Sequence, residues 1–212
     1  VYGFARTTTI HHKNYIHTKL DFSDLKKVSK YEFPSLENAE KITLVNNAGI
    51  VGDIKHVGKI DTQKIIDCYT INTITPAILT NNFLSNYSDN TTEKLIINIS
   101  SGAGRTPIDG WNTYCSSKAA LDMFSQVLNE EIKIDKSNCK ILSLAPGIID
   151  TDMQVAIRSS DQNDFSNIDN FINYKKEGDL ANPEFTANQI LQFINNPELA
   201  SDIICSVREL SQ

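Results

Sequence analysis

Apolar residues along the chain fall into two rhythms. Short, nearly unbroken runs at residues 1–5, 15–20, 42–45, 95–99, 140–144 and 203–207 predict strands. Longer stretches at 62–86 and 112–134 place apolar residues three and four apart and predict helices. Their alternation predicts an α/β fold, a doubly wound parallel sheet with helices on both faces. In the second helix, Ala119, Ala120, Met123, Phe124, Val127 and Leu128 form the expected core stripe, with Asp122, Gln126 and Asn129 facing elsewhere. Pro76 has no N–H to donate and should bend or break the first helix. Residues 154–179 are polar and weakly periodic, which predicts a mobile segment. With no internal repeat or linker-like stretch, residues 1–212 are expected to form one domain.

Composition narrows the function. At 212 residues, 40% hydrophobic and 22% charged, the chain buries a full core without a disulfide or metal staple. Its formal charge is −6, and its Lys and Arg residues are scattered, so no nucleic-acid partner is expected. The four cysteines, Cys68, Cys115, Cys139 and Cys205, lack C-x-x-C pairing and read as reduced intracellular thiols. No run approaches the roughly 18 apolar residues of a membrane span, and the first residues lack a signal peptide's pattern. A cytoplasmic protein without a membrane partner is the expectation. His11, His12 and His17 sit between two strands without convergent acidic or cysteine partners, and the amide-rich run at 161–170 lacks a calcium loop's glycine and glutamate spacing. No metal is expected.

In an open parallel sheet, ligands collect beyond the carboxyl ends of the strands. Four ends are unusual: Arg6 after the first strand, Asn46-Asn47-Ala48-Gly49 after the third, Ser100-Ser101-Gly102-Ala103-Gly104 after the fourth and Pro146-Gly147 after the fifth. Tyr114 and Lys118, four apart at a helix start, share one face. A nearby ammonium lowers a phenol's pKa from about 10 by roughly 1 to 3 units. Such a phenol exchanges a proton with a carbonyl oxygen, and a serine at the adjacent strand end can hold the same oxygen. A lone Tyr-x-x-x-Lys is usually a surface pair. Here it stands in order with the three other strand-end motifs.

These motifs resemble the short-chain dehydrogenase/reductase family over essentially the whole chain. Within it the resemblance is to the sepiapterin reductase branch and its bacterial benzil reductases, which form (S)-benzoin. The stretches that carry it are LVNNAGIVGD at 44–53, IINISSGAGRTPIDGWNTYCSSK at 96–118 and APGIIDTDMQ at 145–154, with IRSSDQNDFSNIDNFI at 157–172 and KKEG at 175–178. The resemblance implies a Rossmann-type three-layer αβα fold. It makes Tyr114 the general acid and has Lys118 lower its pKa while binding the nicotinamide ribose. Ser101, 13 places before the tyrosine, positions the substrate carbonyl. Asn72 holds a relay water, or is an ordinary helix asparagine. Arg6 stands at the adenosine-ribose selector, where a forked guanidinium suits a 2′-phosphate and hence NADP(H), or it is a solvated surface residue. Asp21 meets the adenine or caps a helix. Asn47, Ala48 and Gly49 lie against the adenosine, or form a tight turn, and Gly147, Ile149, Thr151 and Met153 wrap the nicotinamide. Asp150 and Asp152 are expected as helix caps. Trp111 walls an aromatic substrate pocket together with Ser101, Tyr114 and Gly147, or packs in the core. Residues 154–179 become a substrate lid.

The sequence departs from the family at its beginning. No T-G-x-x-x-G-x-G turn is present to hold a pyrophosphate. The expectation is a fold lacking its first strand and helix, about 30 residues before Val1, so that neighbouring strands lose a pairing partner. Residues 6–15 are also short for a βα crossover. Ser206 stands where animal sepiapterin reductases carry a pterin-anchoring aspartate, which favours an aromatic 1,2-diketone over a pterin ketone. The reading is an NADPH-dependent carbonyl reductase acting on a diketone such as benzil. The alternatives are a pterin ketone reductase, a non-catalytic NADP-binding sensor or subunit, and an inert product. A homodimer or homotetramer is expected through helices 62–86 and 112–134.

Overall fold

Six strands and the helices between them follow the predicted order, with strand ends shifted by two residues at most. A computed structural model describes residues 1–36 and 38–211. In chain order the elements are β1 (Tyr2–Ala5), β2 (Ile16–Lys19), α1 (Leu25–Val28), β3 (Lys41–Asn46), α2 (Thr62–Tyr69), α3 (Thr75–Asn86) and β4 (Glu93–Ile99). There follow α4 (Asn112–Asp135), β5 (Cys139–Ala145), α5 (Asp152–Arg158), α6 (Ile168–Glu177), α7 (Pro183–Asn195) and β6 (Ile204–Ser206). The fold is α/β, with parallel strands flanked by helices.

The strands divide into two sheets. β3-β4-β5-β6 form one, β1-β2 the other, and all neighbours run parallel. Alternate side chains of the larger sheet feed opposite cores, as the strand period requires. Ile42, Leu44, Ile96 and Ile141 pack with Phe83 of α3 and Leu128 of α4. Leu95, Ile97, Ile99, Leu142 and Leu144 pack with Phe193 of α7 on the other face. β1 and β3 each pair on one side only. Residues 6–15 cross from β1 to β2 without a helix, as their shortness suggests.

Three expectations need correction. Pro76 neither breaks nor sharply interrupts its helix. Instead α2 and α3 are joined by a π turn, Thr70–Ile74, in which the Thr75 N–H reaches back to the Thr70 carbonyl. Proline cannot donate to the carbonyl four places earlier, and the wider turn absorbs that mismatch. The face of α4 also differs from the prediction. Asp122 is buried, while Met123 and Val127 are 59% and 50% exposed. The helix can bury Ser117, Lys118, Asp122 and Ser125 because each polar group except one oxygen of Asp122 finds a hydrogen-bond partner there. Finally, much of the polar segment 154–179 folds into α5 and α6, anchored by Ile157, Phe165, Ile168 and Phe171 against Trp111. Four well-spaced apolar residues suffice to dock two short helices.

Candidate active site

A cleft of about 1720 Å³ runs from the ends of β1 and β2 past those of β3, β4 and β5. Arg6, Asp21, Asn47, Ala48, Gly49, Ser101, Trp111, Tyr114, Lys118, Gly147, Ile149, Thr151 and Met153 all line it. Asn72 does not. It is fully buried behind the cleft wall, where its amide donates to the Ile50 carbonyl (2.8 Å) and Ser117 Oγ (3.0 Å) and its oxygen accepts from the Ile50 N–H (2.9 Å). The π turn presents this side chain, and its bonds fix the segment after Gly49.

Ser101 ends the extended path of β4 and starts a 3-10 turn, Gly102–Gly104, its Oγ accepting from the Ala103 N–H at 3.2 Å. α4 begins opposite and brings Tyr114 and Lys118 to the same rim. The Lys118 Nζ lies 5.9 Å from the Tyr114 ring centre and donates to the Ile99 carbonyl at 2.8 Å. Burial pushes the Tyr114 phenol up, and the neighbouring Ser101 hydroxyl offsets only part of this. Burial also drives the Lys118 ammonium down to about 8. The expected lowering of the phenol by the ammonium is therefore not what governs the ligand-free site. Desolvation dominates, because it disfavours both charged forms at once.

The cleft fits a dinucleotide. A Cβ built on Gly49 would stand 3.3 Å from Asn72 Oδ1 and 3.4 Å from Lys118 Nζ, so glycine there keeps the floor open beside both. Gly147 has φ +82° and empty space where a side chain would be, so the backbone after β5 is exposed to a ligand. Arg6 and Asp21 stand together at the far end, the guanidinium helping to hold the carboxyl below its ordinary range, although hydrogen bonds from Ser23 act more strongly. Asp21 closes a turn on Ser23 and does not cap α1, whose cap is Asp24. Asp150 pairs with Lys175 at 2.6 Å, and the cap position of α5 belongs to Thr151, so neither aspartate caps by its side chain. Thr151 Oγ1 meets only the Ile149 carbonyl, at 3.5 Å.

Trp111 packs in a core cluster and also lines the cleft. It is 6% exposed, stacks on Phe165 with ring centres 5.4 Å apart, and lines the cleft beside Phe171 and Tyr174. The two α6 aromatics went unpredicted, though their spacing of three places them on one helix face. Arg105 and Glu209 also line the cleft unforeseen. Among the described residues no cluster of His, Cys, Asp and Glu is arranged to hold a metal, and no helix is long and apolar enough to cross a membrane.

Comparisons with known proteins agree with this arrangement. Residues 5–162 match the short chain dehydrogenase family. A benzil reductase ((S)-benzoin forming) from Bacillus cereus is 38% identical over 173 residues, covering 82% of this chain and 70% of that protein. A sepiapterin reductase from Bos taurus is 30% identical over 173 residues, covering 80% of this chain and 63% of that one. A solved short chain dehydrogenase/reductase from Saccharomyces cerevisiae superposes with a TM-score of 0.71 at 26% identity, over 85% of this chain and 74% of that chain. With a Rossmann-type parallel sheet and a serine, tyrosine and lysine gathered on one cleft, the chain belongs to the short-chain dehydrogenase family of oxidoreductases.

Proposed function

We propose that the protein is an NADPH-dependent carbonyl reductase that converts an aromatic 1,2-diketone such as benzil to (S)-benzoin. The observation that carries this reading is the meeting of Ser101, Tyr114 and Lys118 on a cleft whose substrate side is walled by Trp111 and Phe171. An aryl ring finds edge and face partners there, and the benzil reductase relative supports the choice.

A bound nicotinamide dinucleotide supplies the hydride. The chain's own residues hold and protonate the carbonyl. The Ser101 hydroxyl donates to the ketone oxygen and fixes its direction. Tyr114 delivers its phenolic proton to that oxygen as negative charge develops. The buried phenol keeps its proton well above neutral pH, as a general acid requires. Lys118 stabilises the tyrosinate left behind and reaches the ribose side of the cleft. Asn72 anchors the Gly49–Ile50 backbone and offers a route for re-protonation. Arg6 binds the 2′-phosphate, Asp21 the adenine, Asn47, Ala48 and Gly49 the adenosine side, and Gly147, Ile149, Thr151 and Met153 the nicotinamide. Residues 154–179 act as a lid within a single domain.

A pterin ketone is the second reading, and one observation favours it. Glu209 brings a carboxylate to the cleft three residues after Ser206. That carboxylate already accepts from Ser201 and the Ser206 N–H, so the diketone remains the first choice. The enzyme works in the cytoplasm, in keeping with its free cysteines. It self-associates as a dimer or tetramer through the exposed Ile66, Met123, Val127 and Ile134 of α2 and α4. Loss of NADPH absorbance on adding benzil, with (S)-benzoin as product, is the expected result. NADPH binding without turnover of any diketone, aldehyde or pterin would overturn the proposal in favour of a sensor.

A further inference from the structure

Behind the proton-transfer residues lies a second line of polar side chains. Tyr114, Lys118 and Asp122 follow one another at intervals of four along α4 and so stack on one face. Asp122 is only 6% exposed. Its Oδ1 accepts from Ser143 Oγ at 2.6 Å, and Ser143, on β5, is wholly buried. Its Oδ2 has no hydrogen-bond partner and lies 3.8 Å from Arg105 Nε. A buried carboxylate with an unpaired oxygen is costly and calls for a reason.

The surroundings supply one. Asn46, Asn98 and Ser143 are register partners across β3, β4 and β5, and form a polar row beneath the strand ends. Asn46 donates to Asn98 at 2.8 Å, and Asn98 to Ser125 of α4 at 2.9 Å. The row ends at the Asp122 carboxylate. Above it, Gly104 closes the Ser101 turn onto α4. A Cβ at Gly104 would stand 2.9 Å from the Lys118 carbonyl carbon and 3.1 Å from Asp122 Oδ2. The serine turn, the lysine and the aspartate thus form one packed unit.

We propose that Asp122 is a positioning residue for carbonyl reduction, a buried carboxylate that keeps the Lys118 ammonium charged and ties the Ser101 turn to α4 without touching substrate. This rests on the reading of Ser101, Tyr114 and Lys118 as the proton-transfer set. The titratable groups facing Lys118 are Tyr114 and Asp122 from its own helix and Cys68 from α2; Asn72 and Gly49 are neutral. Burial pushes the Cys68 thiol and the Tyr114 phenol up. Of these, Asp122 brings the carboxyl group, one helical turn beyond Lys118. Arg105 is the cation on its far side, its Nε 3.8 Å from Asp122 Oδ2.

Asp122→Asn keeps the shape and can still accept from Ser143, so it removes the charge alone. The expected result is a fall of about tenfold in kcat with an unchanged KM for benzil, and an alkaline limb of kcat/KM moved by about one unit to lower pH. An NMR titration of Lys118 Cε in the cofactor-free protein should move in the same direction. Ser143→Ala, which removes a packing and hydrogen-bond partner but no charge, should leave that titration in place. An unmoved Lys118 midpoint in Asp122→Asn, or an equal movement in Ser143→Ala, overturns the proposal. If the unmutated enzyme reduces no ketone, the reading of the site falls, whereas the NMR midpoint still decides whether Asp122 holds the lysine charge.

Discussion

β4 and β5 are buried along nearly their whole length, whereas β1 and β2 have no fully buried residue between them. The cleft draws its walls from both. From the deeply packed sheet come Ser101, Gly147 and, through α4, Tyr114 and Lys118. From the thin one come Arg6 and Asp21. The difference follows the chemistry. Proton transfer needs groups fixed in low dielectric, where a misplacement of about 1 Å costs on the order of 100-fold in rate. Reading a phosphate needs a cation that can remain solvated until the ligand arrives. On the proposed function, one half of the cleft serves position and the other charge.

The sharpest way to break this comparison is at the phenol. Tyr114→Phe should reduce kcat for ketone reduction by about 1000-fold, with NADPH affinity nearly unchanged. A loss of less than tenfold, measured in steady state, would remove the phenol as proton donor. At the other end of the cleft, Arg6→Ala should raise the KM for NADPH about tenfold while leaving NADH and kcat alone. Equal losses with both dinucleotides would show that the thin sheet holds the cofactor without reading its phosphate.

The pH dependence tests the buried half differently. Lys118 is charged below about 8 and loses its proton above that value in the ligand-free protein. The kcat/KM for NADPH should accordingly fall severalfold as pH rises from about 8 to 9. A profile flat through this range would separate the ammonium from cofactor capture. The smallest effect concerns stability. Because the folded pKa lies below the ordinary 10.5, burying the ammonium costs stability in full below about pH 8, and the cost disappears as pH rises toward 10.5. Lys118→Met should raise the melting temperature of the ligand-free protein at pH 7 by about 5 °C, allowing for the lost bond to Ile99. The gain should shrink at higher pH. Calorimetry showing no gain at pH 7 would mean that the lysine is well solvated after all.

The order of strands and the rim motifs were readable because each depends on local pattern: continuous apolar runs, small residues after them, and a tyrosine and lysine four apart. What was not readable depends on partners brought from elsewhere. Asp122 looked like a solvent-facing residue of α4, since its apolar neighbours Met123 and Val127 fitted a core stripe. Only the arrival of Ser143 and Arg105 reverses that face. The aromatic wall from α6 was hidden in a polar segment, because Ile168, Phe171 and Tyr174, though three apart, stand among Asp, Asn and Lys residues that mask the period. The sequence has the ammonium lower the phenol, yet burial, a property of the whole fold, raises the phenol and lowers the ammonium instead.

The π turn at Thr70–Ile74 takes up one surplus residue in its helix, so removing one residue there would restore ordinary α-helical bonding with α2 and α3 still in phase. What would go is the local widening that presents Asn72, whose side chain binds both the N–H and the carbonyl of Ile50. Length polymorphism in descendants of this sequence should thus be common in the exposed loop at 88–92 and nearly absent from these five positions.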